Sequence, residues 1–159
     1  MPIPASDSEQ PDIDPDVFDP AQRRGQLAEQ APIVAVIAIG GALGACARYG
    51  AGLLWPTAAG TFPVTTLSVN ITGCAIMGVF MVLVTEVWTA RRLLRPFVGT
   101  GILGGYTTFS TYAADITHLV GTGHAVTGLT LLVTTPVTAL AATWSAASLT
   151  HRIITGRTG

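Results

Sequence analysis

The sequence contains no lysine, and charged residues of every kind make up only 11% of its 159 residues. Its permanent cations are therefore all arginines, and the formal net charge at pH 7 is −1. Proteins that bind nucleic acid carry a basic face or stripe. So few cations in a chain of this length exclude nucleic acid as a partner.

Patterns for catalysis and for transition-metal binding are also missing. The two cysteines, Cys46 and Cys74, lie inside apolar segments, where packing is a more typical role than a disulfide. The sequence has no CxxC pair, no Cys/His cluster and no Gly-x-Ser-x-Gly elbow. No pair of carboxylates lies in the middle of an apolar run. We therefore predict that the protein is not an enzyme.

Long apolar runs dominate what is present, and the mean hydropathy is +0.53. Each run reaches the roughly 20 residues that a helix needs to cross a bilayer. We predict an all-α membrane protein with four transmembrane helices, at about residues 33–54, 64–87, 96–120 and 125–149. Residues 31–152 would form this domain. A proline-rich acidic tail, residues 1–30, is expected to be disordered, and residues 153–159 form a short C-terminal tail.

Residues 101–112 read Gly-Ile-Leu-Gly-Gly-Tyr-Thr-Thr-Phe-Ser-Thr-Tyr and are unusually rich in glycine and hydroxyl side chains for a membrane helix. Two interpretations stay open. The stretch is either a plain helix that packs closely through small residues or a helix broken at membrane depth. A break exposes carbonyls and helix ends to an ion, and it survives only where protein or water satisfies the freed backbone groups.

The first span carries a glycine pair and a cation. Gly40 and Gly44 have the GxxxG spacing that lets another helix approach closely. Arg48 lies four residues further on, on the same helical face. Because Arg48 is near the end of the span, we interpret it as an interfacial side chain that reaches water, with a buried functional cation as the alternative.

Polar side chains inside the later spans are few. Asn70, well inside the second span, is either a hydrogen-bonding contact between helices or a donor that lines a pore. Asp115 and His118 lie three residues apart near the end of the third span. We interpret them as interfacial polar residues rather than as a proton relay.

The fourth span combines a proline with many hydroxyls. Pro136 is expected to kink the helix and to free one backbone carbonyl. In a membrane that carbonyl needs a donor, and neighbouring hydroxyl groups can supply one. The span itself is unusually dense in hydroxyls, with Thr127, Thr130, Thr134, Thr135 and Thr138.

Arginine is distributed unevenly between the two sides of the predicted membrane. Four spans place both termini on one side, and that side collects every arginine except Arg48, namely Arg23, Arg24, Arg91, Arg92, Arg95, Arg152 and Arg157. An excess of arginine marks cytoplasmic segments. We therefore predict a multi-pass protein of the cell membrane with both termini in the cytoplasm.

Three blocks of sequence together resemble the Fluc (CrcB) family of fluoride channels. They are GGALGACARY at residues 40–49, TLSVNITG at residues 66–73, and GILGGYTTFSTY at residues 101–112. Their order, their spacing and their context of four spans agree with that family. The resemblance covers the chain from about residue 33 to residue 151 and leaves out the acidic tail.

The resemblance implies a fluoride-specific channel that lets cytoplasmic fluoride leave the cell, built from two antiparallel subunits. It implies a structural sodium ion at the dimer centre, held by the backbone carbonyls of Gly104 and Thr107. Its other implied site residues are Asn70, Phe109, Ser110, Thr111 and Tyr112 along the pores and Arg48 on the first helix. The family usually has phenylalanine where this chain has Tyr112, which leaves the local geometry of the pore open.

Two other classes fit parts of the pattern. A small multidrug-type, proton-coupled transporter is also short and has four spans, but it needs a carboxylate near the middle of a span. Glu86 and Asp115 lie near span ends instead. An accessory membrane protein would use the glycine faces only to bind a partner. The arginine bias further predicts one fixed orientation and a second subunit that is a related but different chain, with a dual-topology homodimer as the alternative.

Overall fold

The computed structural model describes residues 20–88 and 92–156, with the backbone alone over residues 20–29. This part of the chain is helical apart from its connections. Helix α1 is Pro20–Leu54 and α2 is Val64–Glu86. A π-helical segment, Arg95–Leu103, continues into one α-helical turn, Gly104–Tyr106, and the two together form α3. Helix α4 is Phe109–Gly121 and α5 is Ala125–Thr155.

The chain divides into two units, Met1–Pro32 and Ile33–Gly159. In the first unit α1 begins at Pro20, so the helix takes in residues 20–30, which the sequence assigned to the disordered tail. Proline is favourable in the first turn of a helix, where its missing N–H costs nothing. The residues after it, AQRRGQLAEQ, are mostly strong helix formers. The earlier part of the predicted tail lies outside the described residues.

Three helices in the described part of the chain are long and apolar enough to cross a membrane: Gln30–Leu54, Val64–Glu86 and Ala125–Thr155. They correspond to the first, second and fourth predicted spans. The last of them reaches Thr155, beyond the predicted end at residue 149 and into the predicted C-terminal tail. The third predicted span, residues 96–120, is not one continuous helix, because it is divided between α3 and α4.

Within the second unit, α1 packs on α3 through glycine. A Cβ atom on Gly40 would lie 2.5 Å from the carbonyl oxygen of Phe97, and one on Gly44 would overlap the carbonyl oxygen of Ile102. Both contacts are with backbone, which cannot move aside as the end of a side chain can. The GxxxG spacing therefore lets the two backbones touch, as the sequence predicts.

The contact between α2 and α5 also depends on a glycine. A Cβ atom on Gly78 would overlap the carbonyl oxygen of Thr143. The Thr143 hydroxyl in turn donates to the carbonyl oxygen of Cys74, at 3.2 Å. Beside this contact, α2 packs on α3 through a buried apolar cluster that includes Phe80, Val84 and Leu103. Helix α2 is thus held on both sides, and its polar face is fixed relative to α3 and α5.

Two contacts identify which loops share an end of the second unit. Glu86 at the end of α2 and His151 near the end of α5 approach to 3.4 Å. At the other end, Gly60 in the α1–α2 loop has φ +74 and packs against the imidazole of His124, which precedes α5. The end of α2 and the end of α5 therefore lie together, opposite the α1–α2 loop.

Candidate functional site

The site is organised around the break between α3 and α4. Helix α3 ends at Tyr106, and both Thr107 (ψ 158) and Thr108 (φ −148, ψ 124) are extended before α4 begins. Gly73 on α2 lets this segment approach, because a Cβ atom there would overlap the Thr107 methyl group and crowd the Tyr106 ring. Of the two interpretations that the sequence left open, the structure shows the broken helix.

Asn70 satisfies the backbone of the break. Its amide oxygen accepts from the N–H of Thr108 at 2.9 Å, and its amide nitrogen donates to the carbonyl oxygen of Thr108 at 3.1 Å. The side chain thereby pairs with an extended residue much as a neighbouring strand would. An amide NH₂ has two donors, and one of them remains after this pairing. Asn70 therefore has the first of the two roles that the sequence left open, because it joins α2 to the break, and it keeps one donor; the pore-lining role stays a prediction.

Hydroxyl groups collect at the first turn of α4. The Thr108 hydroxyl oxygen accepts from the N–H of Thr111 at 3.0 Å, which caps the helix. The same hydroxyl donates to the Thr111 hydroxyl at 3.0 Å and lies 3.3 Å from that of Ser110. The resemblance implies Ser110 and Thr111 as residues along the pores, and the structure joins them through Thr108, which the sequence analysis did not single out.

Arg48 on α1 contacts α3 just before the break. Its Nε donates to the carbonyl oxygen of Gly105 at 3.2 Å, and the side chain is half-buried. A cation beside the last carbonyls of a helix interacts favourably with the helix dipole. The interfacial interpretation of Arg48 did not anticipate this contact with α3. Its position near the end of the helix suggested water, but the close packing of α1 on α3 brings α3 within reach.

Two carbonyls at the break fit a small cation. In an unbroken helix the N–H of Thr108 would donate to the carbonyl of Gly104, but here it donates to the amide oxygen of Asn70. The carbonyl of Gly104 thus loses the N–H that would bind it in a helix. Because Thr107 is extended, its carbonyl does not point along the helix axis as the carbonyls of α3 do. Carbonyl oxygens are hard ligands of the kind that alkali and alkaline-earth cations take. The described residues include no group of three or more His, Cys, Asp or Glu side chains that could hold a metal ion.

The aromatic residues lie beside the break. Phe109 and Tyr112, one turn apart on α4, have ring centroids 5.7 Å apart with the planes inclined at 52°. Both line a pocket of about 300 Å³ together with Asn70. Their exposure differs greatly, because Phe109 is 79% exposed and Tyr112 only 7%. The pocket therefore has one wall that is fixed in the core and one that lies open on the surface of the chain.

Thr135 on α5 is a site residue that the sequence analysis did not single out. It lines the same pocket, is 6% exposed, and its hydroxyl has no hydrogen-bond partner within the described part of the chain. Such groups are rare in folded proteins and call for an explanation. The threonine density of the fourth span was the available signal, but it did not indicate which hydroxyl faces the pocket.

Asp115 pairs with a hydroxyl near the start of α2. The hydroxyl of Thr66, which is buried on α2, donates to its carboxylate at 2.7 Å. Asp115 is half-buried, whereas His118 is exposed in the last turn of α4. The pairing of Asp115 with α2 holds α4 against the face that carries Asn70. For His118 the exposed position agrees with the interfacial interpretation.

The fold and the site together define a small, multi-pass helical membrane protein whose polar groups surround a break between two helices. A family model described as "CrcB-like protein, Camphor Resistance (CrcB)" matches residues 35–147. The chain belongs to this family.

Relatives cover most of the chain. It is 60% identical over 116 residues to the fluoride-specific ion channel FluC 2 of Streptomyces avermitilis, and the match covers 73% of each chain. It is 56% identical over 137 residues to the fluoride-specific ion channel FluC 1 of Streptomyces coelicolor, and this match covers 86% of this chain and 89% of the relative. A more distant relative, FluC of Saccharophagus degradans, is 38% identical over 118 residues.

Proposed function

We propose that this protein is a subunit of a fluoride-specific ion channel that lets cytoplasmic fluoride leave the cell and so reduces fluoride toxicity. The relatives named above are fluoride-specific ion channels and match most of the chain. The observation that carries the proposal is the polar constellation at the break. There, Asn70 keeps a spare amide donor and shares a pocket with the rings of Phe109 and Tyr112. The hydroxyls of Ser110 and Thr111 lie in the first turn of α4, next to that of Thr108.

These residue types suit a small anion that holds its water tightly. A pore must replace that water with donors, which an amide and two hydroxyl groups supply. The positive edge of an aromatic ring attracts an anion without binding it too firmly to leave. The partial positive charge at the first turn of α4 also attracts an anion. Fluoride can therefore be passed between weak donors, as conduction requires.

The test is fluoride efflux from liposomes that contain the purified protein, with chloride as the control anion. We expect rapid fluoride efflux and no chloride efflux above that of protein-free liposomes. Equal efflux of both anions, or none of either, would contradict the proposal. The design separates a fluoride channel from an unselective leak, because both anions are followed in the same preparation.

We propose that α3 and α4 together form a fourth crossing of the membrane and that two subunits assemble in antiparallel fashion. The 79% exposure of Phe109 supports assembly, because this ring belongs to the site and yet lies open on a single chain. A second subunit would cover it and close the pocket into a narrow path. The antiparallel arrangement follows from the family resemblance.

A structural sodium ion at the dimer centre is proposed on the carbonyls of Gly104 and Thr107. The supporting observation is that Asn70 takes the N–H that Gly104 would otherwise receive. Two carbonyls from each subunit would together give an oxygen cage, and the fixed positive charge would favour a nearby anion. A bound ion stabilises the folded state. Replacing sodium with N-methylglucamine should therefore lower the unfolding temperature of the assembled protein, and an unchanged temperature would contradict the site.

We propose that the second subunit is a related but different chain inserted in the opposite orientation. The support is the arginine bias of the predicted cytoplasmic side. Among the described residues, Arg92, Arg95 and Arg152 contribute to this bias. Arg91 and Arg157 lie outside the described residues. Strong bias in short segments fixes one orientation, with the termini in the cytoplasm, whereas an antiparallel homodimer requires insertion both ways.

Reporters of sidedness fused to the C-terminus of the chain expressed alone should give a signal from the cytoplasmic side only. Purified alone, the chain should also carry far less fluoride than it does with its partner. Substantial signal from both sides, together with fluoride efflux by the lone chain, would instead support a dual-topology homodimer. The arginines themselves offer the control, because moving the excess to the opposite loops should reverse the signal.

A further inference from the structure

Pro136 removes one hydrogen bond from the middle of α5. Helix α5 continues through this residue, but proline has no N–H to donate to the carbonyl four residues earlier, which is that of Leu132. In hydrocarbon such a carbonyl needs another donor, because no water is present to satisfy it. An unsatisfied carbonyl at Leu132 would weaken α5 beside the pocket that Asn70, Thr135 and Pro136 line.

The donor comes from α4 and not from α5. The hydroxyl of Tyr112 donates to the carbonyl oxygen of Leu132 at 2.8 Å. Of the threonines nearest the proline, Thr134 donates to the carbonyl of Thr130 at 2.7 Å and Thr138 to that of Thr134 at 2.6 Å, while the hydroxyl of Thr135 has no hydrogen-bond partner among the described residues. The sequence predicts that a neighbouring hydroxyl covers the freed carbonyl, and the hydroxyl that does so belongs to Tyr112 of α4 and not to a threonine of α5.

Tyr112 is also the position where the resemblance predicts phenylalanine. A phenylalanine there has no donor and would leave the carbonyl of Leu132 unpaired. Tyrosine and proline therefore form a matched pair in this chain, in which the proline creates a free acceptor and the tyrosine fills it. The same bond ties the ring of Tyr112, 5.7 Å from that of Phe109, to α5.

We infer that Tyr112 is a positioning residue, whose hydroxyl replaces the helix hydrogen bond that Pro136 removes and so fixes the aromatic ring at the pocket. The hydroxyl has a single proton, and that proton is engaged by Leu132. The ion path therefore meets the ring of Tyr112 and not its hydroxyl as a donor. The contact of the ion path with the ring rests on the proposed function, whereas the hydrogen bond to Leu132 does not.

A double-mutant cycle tests this inference with four proteins: the wild type, Tyr112→Phe, Pro136→Ala, and the two changes combined. Each is purified as the assembled protein and measured twice, by fluoride efflux from liposomes and by unfolding in mixed micelles. Pro136→Ala restores the N–H that the carbonyl of Leu132 lacks, so the tyrosine hydroxyl is no longer needed. Any direct effect of losing the proline ring is common to both proteins that carry Pro136→Ala, and it cancels in the cycle.

We expect Tyr112→Phe alone to lower fluoride efflux and the ratio of folded to unfolded protein by at least about fivefold each, as loss of the donor to a carbonyl in hydrocarbon does. In the Pro136→Ala background the same change should lower each by less than about twofold. Tyr49→Phe, which removes the hydroxyl of an exposed tyrosine, is the matched control and should change neither.

Equal losses in the two backgrounds would overturn the inference, since they would show that the hydroxyl acts on the ion or on another group. No loss in either background would overturn it as well. If the wild type itself carries no fluoride, the proposed function fails. The unfolding measurements then still decide whether the bond to Leu132 replaces the one that Pro136 removes.

Discussion

Asn70→Asp is expected to abolish fluoride conduction in a protein that still folds and inserts. The variant keeps an oxygen to accept from the N–H of Thr108, but it replaces the amide donors with a negative charge. Two like unit charges roughly 4 Å apart repel by about 4 kcal/mol at an effective dielectric constant of about 20. That barrier corresponds to a fall of about 1000-fold in the rate of anion passage.

The measurement is fluoride efflux from liposomes, normalised to the amount of assembled protein recovered by size-exclusion chromatography. Asn70→Ala is the companion variant, because it removes the pairing with Thr108 without adding charge. We expect it to lower efflux less than Asn70→Asp does. If assembled Asn70→Asp carried fluoride as fast as the wild type, Asn70 would not line the ion path, and its role would be limited to the bonds with Thr108.

Gly44→Ala is expected to destabilise the protein by about 3 kcal/mol, the upper end of the range for overpacking a well-packed contact. The added Cβ would overlap the carbonyl oxygen of Ile102 and lie 2.7 Å from the backbone nitrogen of Tyr106. To relieve the overlap, α1 must move away from α3. The bond from Arg48 to the carbonyl of Gly105 should then be lost too, because it spans the same two helices.

Gly41→Ala provides the matched control in the same helix, because a Cβ atom there meets nothing within 4 Å. Alanine has the higher helix propensity, so this variant should be as stable as the wild type or slightly more stable. Unfolding of both variants in mixed micelles makes the comparison. Similar stabilities for the two would show that α1 does not depend on the close contact at Gly44.

The sequence was sufficient for the membrane class, because the information lies in local composition. An apolar run of about 20 residues has few other uses, and the first, second and fourth predicted spans correspond to single helices in the structure. The GxxxG pair was equally readable, since small residues four apart have a direct geometric meaning. The family could be recognised because three separate blocks agreed, and residues 35–147 match its model.

The hydrogen-bond partners of a side chain on other helices could not be predicted from the sequence, because they depend on how the helices pack. Arg48 looked interfacial by its position in the span, but the glycine contact of α1 with α3 places Gly105 within its reach. Asn70 allowed two interpretations, and the extended backbone at Thr108 shows the contact between helices, while the pore-lining role stays a prediction. Whether residues 101–112 formed a plain or a broken helix was decided in the same way, by the donor and acceptor that α2 supplies.

Pro136 in α5 shows most clearly which features the sequence determines and which depend on the tertiary structure. From the sequence alone, elementary chemistry dictates that Pro136 frees a backbone carbonyl and that a membrane protein must cover it. It does not dictate which hydroxyl does so, since five threonines of the same span are candidates by proximity along the chain. The tertiary structure assigns the role to Tyr112, twenty residues before Leu132, because the packing of α4 on α5 brings the phenol to that carbonyl.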